Sequence, residues 1–565
     1  MKMLRELGSI YTPIDYAHFL TEWAIQNSTD LVMDLGVGEG VFVFASYERL
    51  LALGANKLEG QNQIYGTEVD EITYKKFLVK AENLDTCFPN LHYENFFNIK
   101  FPTVDSIVGN PPYVRRKHID GVDKIRDRVL EINKKINAKD LNRLTDLYVY
   151  FLLHALPMLK PEGRLAIIVA DSWLNVGYGK VLKQYLKQEY NINRLISLDR
   201  RVFDDAQVKP VLLLATKKSN SNSQWVVSFT RIKNGLPISS LQHFEDWSQL
   251  DDVATVNIPA QNLKIEHPWG IHFKASEIYQ LLSKHKLTTY VNNLADTRIG
   301  IQTLAKDFFV LTPKQAQNHR IELDYLQSLA QSAKHFDAPV IEQHTPETFL
   351  VFYCAKSKKK LQGTRALEYI IKGEKTTVKV RGKNETVVGY QNKKRIQQAK
   401  RSSWYDLRSD IERRGRAEIL IPRLVYRKFM VLWNKANYVP GELFIEFLPK
   451  EKSPDIEAYL AVLNSIPTEI MLRMYAQVYG GGTYNIRPGQ VKMVSMLDVT
   501  QLTNAQKNNL VQAYRQYLAD ESYDRFPINH AVYDILGFNT EMRQKMDETL
   551  KDLISIATSA KESPH

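Results

Sequence analysis

The chain has 565 residues, too many for one hydrophobic core, so two or three domains are expected. Hydrophobic residues make up 44% and charged residues 24%; no apolar run is long enough to span a bilayer, and the opening MKMLRELGSIYTP lacks the apolar stretch of a signal peptide. Cys87 and Cys354 form no CxxC pair and adjoin no clustered histidines, which argues against a disulfide framework or structural zinc and for a reducing, cytoplasmic setting.

The first half of the chain alternates short β-rich runs with amphipathic stretches. LVMDLG, QIYGTEVD, SIVGNPPY, GRLAIIVAD, LISLD and PVLLLATK are separated by segments such as LYVYFLLHALPMLK. That alternation predicts an α/β, doubly wound, mostly parallel sheet. The polar run KKSNSNSQ at residues 217–224 reads as a linker or a hairpin turn. Beyond it the pattern is mixed α+β with no fixed repeat, a further break is expected near residues 430–450, and the tail from about Asn504 reads as helical. The organisation expected is 1–218, 219–500 and 501–565.

The first strand leads into Asp34-Leu35-Gly36-Val37-Gly38-Glu39-Gly40 and then an apolar helix-like run. Strand, glycine-rich turn and helix form a cofactor loop, because missing Cβ atoms let a ligand approach backbone N–H groups at a helix N-terminus. The second strand ends in Glu68-Val69-Asp70, where a carboxylate can accept both hydroxyls of a ribose. A dehydrogenase shares everything up to this point.

The fourth strand separates the two readings. It ends in Asn110-Pro111-Pro112-Tyr113. Two prolines fix the backbone and present carbonyls with no competing N–H. The Asn110 oxygen and the Pro111 carbonyl can each accept one hydrogen of an exocyclic amine, drawing it towards a tetrahedral form with a localised lone pair. Tyr113 offers a face on which a base stacks, and a base inside a duplex must be flipped out to reach it.

The net charge of +12 is concentrated between residues 356 and 428, which hold 22 Lys/Arg against 7 Asp/Glu. Trp404, Tyr405, Tyr390, Tyr426 and Phe429 are interleaved with these charges. A solvated surface is the bland reading; cations with aromatic faces among them favour a nucleic-acid groove. A second basic stretch, residues 115–143, follows directly after Tyr113 and reads as a loop or helical insert.

These segments together resemble a gamma-class N6-adenine DNA methyltransferase of bacterial restriction–modification systems, closely over residues 8–216 and loosely beyond. The resemblance implies a Rossmann-like methyltransferase fold, S-adenosylmethionine as cofactor and double-stranded DNA as substrate. It also implies a bacterial cytoplasmic location, a restriction endonuclease acting separately, and no membrane. No metal is implied, since the sulfonium is already activated. Residues 8–13 resemble the family's leading motif, with Tyr11 and Thr12 against the cofactor, and residues 147–163 and 164–174 its fifth and sixth. Asp34, Gly36, Gly38, Gly40, Glu68 and Val69 carry over to the cofactor, as do Asn110 and Pro112. Residues 201–214 resemble the eighth motif, with Phe203 on the opposite face of the flipped adenine from Tyr113. After the third strand the family has an acidic residue before Phe, where this chain has Asn95 and Phe96, with Glu94 as the alternative.

In the second half, residues 300–303 with 308–310, and 460–465 with the glycine run and Tyr484, resemble the recognition region of larger members. Arg115, Arg116, Lys393, Lys394, Arg395, Arg401 and Arg408 are the expected DNA contacts, with Gln302 and Arg487 as further candidates for base reading. An RNA adenine methyltransferase shares the phosphate-binding features. A protein glutamine methyltransferase shares the Asn-Pro-Pro-Tyr chemistry but gives the large basic half no role. A non-catalytic DNA-binding module leaves the motif set without a purpose.

Overall fold

The computed structural model describes residues 12–113, 121–141, 145–175, 177–198, 210–219, 225–233, 236–241, 247, 250–343, 349–379, 385–479 and 482–562. The chain divides into two compact units, one ending at Ser276 and the other running from Glu277 to Glu562.

The first unit is built on nine strands: β1 (Val32–Asp34), β2 (Ile64–Glu68), β3 (Leu91–Tyr93), β4 (Val104–Gly109), β5 (Leu159–Ala170), β6 (Tyr190–Leu198), β7 (Pro210–Lys217), β8 (Val226–Ile232) and β9 (Val253–Pro259). Their order in the sheet is β3-β2-β1-β4-β5-β7-β6-β8-β9. β1 is parallel to both β2 and β4, and β4 is parallel to β5. β7 runs antiparallel between β5 and β6, so the sheet is mostly and not wholly parallel.

Successive strand residues point to opposite faces, and here both sets are apolar. On β5, Leu165, Ile167 and Val169 enter one core while Ala166 and Ile168 enter the other. Helices Ile14–Ala24 and Val41–Ala52 bring Phe19, Leu20, Phe42 and Val43 to the second core; Leu147–Ala155 and Lys180–Glu189 bring Leu152, Leu153, Leu182 and Leu186 to the first. Each such buried side chain contributes about 1.5–3 kcal/mol. The helix Val41–Ala52 starts at Gly40, whose φ of +91° and closeness to the Phe77 ring, 2.6 Å from a Cβ built there, leave no room for another residue.

The expected boundary at residue 218 falls inside this sheet. β8 pairs in parallel with β6, and β9 closes antiparallel onto β8. The apolar alternation of VVSFTRI, with Val227 and Phe229 buried, makes it a continuation of the same core.

In the second unit, Ala295–Ile299, Phe444–Pro449, Ile419–Pro422 and Leu432–Trp433 form a four-stranded antiparallel sheet. The pairing of Ile419–Pro422 with Phe444–Pro449 spans the break expected near 430–450 and removes it. Helix Asn504–Ala519 packs on Ile456–Asn464, and Thr540–Glu562 on Ile466–Tyr475, so the tail expected as a separate segment from 501 is part of this unit. Among the described residues no helix is long and apolar enough to cross a membrane.

β4 ends at Gly109 with a φ of +134°, and a Cβ there would lie 2.8 Å from Asp34 Oδ1 and 2.9 Å from the Leu35 nitrogen. Gly109→Ala is therefore expected to cost about 1–3 kcal/mol of stability, read as a lowered urea midpoint. An unchanged midpoint would contradict this close approach of the two strand ends.

Candidate active site at the sheet switch point

β1 lies between β2 and β4, with Asp34 in register with Gly66 on one side and Val108 on the other. The strand order reverses here, and the C-terminal ends of β1, β2 and β4 open on one crevice, the place where doubly wound sheets take their ligands. The Leu35 nitrogen donates to Val108 O and the Val37 nitrogen to Thr67 O, which fastens the glycine loop to both neighbouring strands.

Asp34 is fully buried. Its Oδ1 accepts from the Gly36 nitrogen at 3.0 Å, while Oδ2 has no partner among the described residues. Burial, reinforced by the charge of Glu68, pushes its carboxyl up to about 7. Glu68 at the end of β2 accepts from the Gly38 nitrogen at 2.9 Å and the Asp70 nitrogen at 2.8 Å, and burial raises its pKa as well. Each oxygen keeps a lone pair for a further donor. Val69 beside it is 55% exposed, an apolar surface at the strand tip. A Cβ at Gly36 would meet nothing within 4 Å, so the loop borders open space.

Asn110 follows Gly109. Its Nδ2 donates to Thr12 Oγ1 at 3.0 Å, a contact spanning 98 residues of sequence, and its buried Oδ1 has no partner among the described residues. Thr12 is itself buried. Pro111 is buried and Pro112 half-buried. The Tyr113 ring meets the Tyr148 ring edge-on, centroids 6.0 Å apart. The Tyr148 hydroxyl joins those of Ser172 (3.1 Å) and Tyr178 (3.3 Å), and Tyr178 donates to Asp146 at 2.6 Å. The Thr12 contact and this cluster escaped sequence reading, since neither partner pair is near in sequence.

Asn95 is exposed, and its side-chain oxygen accepts from the Phe97 nitrogen at 3.1 Å. Phe96 is turned into the core, stacked on Phe151 with centroids 4.9 Å apart, so its ring is committed away from solvent. Glu94 caps the same turn through the Asn95 nitrogen and Asn98. Tyr11, Phe203, Arg115 and Arg116 lie outside the described residues. The basic stretch 115–143 contains a helix, Val122–Ile132, with Val129 buried.

The family model described as Eco57I restriction-modification methylase matches residues 44–203, and that for the C-terminal domain of type II methyltransferase M.Eco57I matches residues 270–526. The chain belongs to the Eco57I-type restriction–modification methylases. The type II methyltransferase M.AccI of Acinetobacter calcoaceticus is 23% identical to this methylase over 535 residues, 91% of this chain and 89% of its own. M.BstVI of Geobacillus stearothermophilus is 22% identical over 357 residues, 54% of this chain and 60% of its own. The type IIL restriction-modification enzyme MmeI, solved in complex with DNA, shares the fold: TM-score 0.56, 13% identity, 96% of this chain and 75% of that one. The nine-stranded sheet is thus a Rossmann-like methyltransferase sheet.

In the second unit of this methylase, the basic segment is less available than its composition suggests. The Arg401 side chain is 3% exposed, paired with Asp410 at 2.8 Å and 5.3 Å from the Phe309 ring centroid. It is a structural cation, not the DNA contact expected. Arg408 pairs with Glu412 at 2.9 Å and lies over the Tyr353 ring, which leaves it a weaker candidate. Lys394, Arg395 and Lys400 are exposed and Lys393 half-buried. Of the interleaved aromatics, Tyr390, Tyr405 and Phe429 are buried, and Trp404 packs on Phe308 with centroids 4.6 Å apart. These rings build a core. They do not line a groove. Gln302 and Arg487 are exposed, and Tyr484 is buried. Among the described residues no group of three or more His, Cys, Asp or Glu could hold a metal.

The raised pKa of Asp34 yields a test. Its neutral form is favoured by folding, so the stability linked to its proton is fully present below the ordinary value of 3.8 and is lost as pH rises through about 7. Asp34→Asn, neutral throughout, is expected to gain stability relative to the parent between about pH 4 and pH 8. Parallel stability–pH curves for the two proteins would contradict the burial argument.

Proposed function

We propose that this methylase transfers a methyl group from S-adenosylmethionine to N6 of an adenine flipped out of double-stranded DNA. One observation carries the reading: the Asn110 amide is held through its nitrogen by Thr12, and its buried oxygen has no donor among the described residues. A bare buried acceptor costs about 1–3 kcal/mol, and a substrate N–H removes that cost.

The residues around the crevice fit the cofactor. The loop at Gly36 and Gly38 leaves room for a ligand against the backbone, Glu68 has lone pairs for a ribose diol, and Val69 offers apolar surface to a flat ring. Asp34, raised by burial to about 7, would ionise fully beside a cation, and its Oδ2, without a partner among the described residues, is an acceptor for an ammonium. S-adenosylmethionine, when bound, supplies the methyl group on a positively charged sulfur. Asn110 Oδ1 and the Pro111 carbonyl then accept the two amine hydrogens and localise the nitrogen lone pair. Tyr113, braced by Tyr148, is the stacking face, with Phe203 as the second one.

DNA as substrate is supported by relatives named as type II methyltransferases and by the exposed cations Lys394, Arg395 and Lys400 with the half-buried Lys393 beside them. These four, without Arg401, are the proposed phosphate contacts. A restriction endonuclease of the same specificity is the proposed companion, acting separately.

Asn110→Ala is expected to slow methyl transfer by about 10²–10³-fold or more, while calorimetry shows S-adenosylmethionine bound within a few-fold of the parent. The amide acts on the target amine, so it contributes in the transition state and little to cofactor binding. Turnover near that of the parent would overturn the assignment.

A further inference from the structure

Arg473 on helix Ile466–Tyr475 is 0% exposed. Its Nε donates to Glu469 at 2.7 Å, its Nη1 to the Tyr426 carbonyl at 2.9 Å and its Nη2 to the Arg427 carbonyl at 3.2 Å. Glu469, also buried, takes Arg525 on its other oxygen. Five residues before Glu469, at the end of helix Ile456–Asn464, the buried Asn464 accepts from the Val431 nitrogen at 2.8 Å and donates to the Val431 carbonyl at 3.1 Å. Between the two clamps Phe429 and Met430 are buried, and just before them Leu424–Val425 is paired with Thr483–Asn485. Residues 426–428 are therefore a turn fixed from beneath by a fully buried charge.

What the turn carries on its outer side is exposed and cationic. Arg427 and Lys428 are exposed, Tyr426 is half-buried, and the Arg427 guanidinium lies 5.5 Å from the Tyr426 ring centroid. Among the described residues no carboxylate pairs with Arg427. A phosphate needs only a nearby cation and tolerates a loose one, as on the four-residue helix Lys394–Gln397. A base edge needs a planar fork held in register, because two hydrogen bonds must be met together. Burying Arg473 to hold two carbonyls makes sense for the second task.

We propose that residues 426–428 form a groove-reading element for double-stranded DNA, with Arg427 a specificity-determining residue that forks onto a base edge presenting two acceptors, as guanine does in the major groove. The inference rests on the DNA-methylation reading above. Lys428 beside it positions the backbone and reads nothing.

The test uses the full chain. A plasmid library of varied sequence is methylated in vitro by the parent, Arg427→Ala, Arg427→Lys and Lys428→Ala, and the modified positions are mapped by modification-aware sequencing. The parent and Lys428→Ala are expected to share one context. Arg427→Ala and Arg427→Lys are each expected to lose discrimination at a single position of it by about 10-fold or more, since lysine cannot make the fork. Should Arg427→Ala be inactive, the context of Arg427→Lys decides alone. An unchanged context with a lower rate would make Arg427 a phosphate contact and overturn the proposal. A library left unmethylated by the parent itself would instead overturn the DNA-methylation reading, and this inference with it.

Discussion

The parallel pairing of β1 with β2 and β4 is the constraint on which the rest of the first unit depends. It brings three chain segments far apart in sequence to one edge, with Asp34 level with Gly66 and Val108, and Glu68 and Asn110 each two residues further along their strands' direction. Such pairing is stable only when both faces of the sheet are covered, which the helices on either side achieve. The crevice is then a consequence of connectivity: the strand order reverses between β1 and β4. Gly109 is what allows β4 to finish this close to Asp34.

Two polar groups at that edge are buried without being satisfied by the described residues. Among the described residues, Asp34 Oδ2 and Asn110 Oδ1 are buried acceptors without donors, and the pKa values of Asp34 and Glu68 are both raised by burial. The second unit treats charge in the opposite way. Glu446 takes Arg298 and Arg414, while Glu469 takes Arg473 and Arg525, so these two buried carboxylates are each met by two guanidinium groups. Networks of this kind hold backbone in place. That contrast separates the proposed site of chemistry from the scaffold proposed to read sequence.

The core of the first unit was legible because strands buried on both faces are continuous apolar runs, and the loops that follow them carry Gly and Pro at positions with few alternatives. The boundary at 218 was misplaced because a polar run marks a turn whether or not the sheet continues after it, and only the pairing of β8 with β6 decides. In the second unit, charge counts misled for a physical reason: an Arg serves equally well over Phe309 in a buried ion pair as against a phosphate, and composition cannot tell the two apart. The same holds for Trp404 and Tyr390, whose rings pack on Phe308. Arg473 lay inside the apolar helix IPTEIMLRMY, where the one signal was a lone Arg four residues after Glu469.

The central claim is that the bare acceptor at Asn110 receives an adenine amine, and the most direct measurement is of the product. DNA incubated with the purified methylase and S-adenosylmethionine carrying a heavy-isotope methyl group is digested to nucleosides and analysed by mass spectrometry. The account predicts the label in N6-methyldeoxyadenosine and in no other nucleoside. Label in N4-methyldeoxycytidine, or its transfer to protein glutamine with the DNA unlabelled, would contradict it.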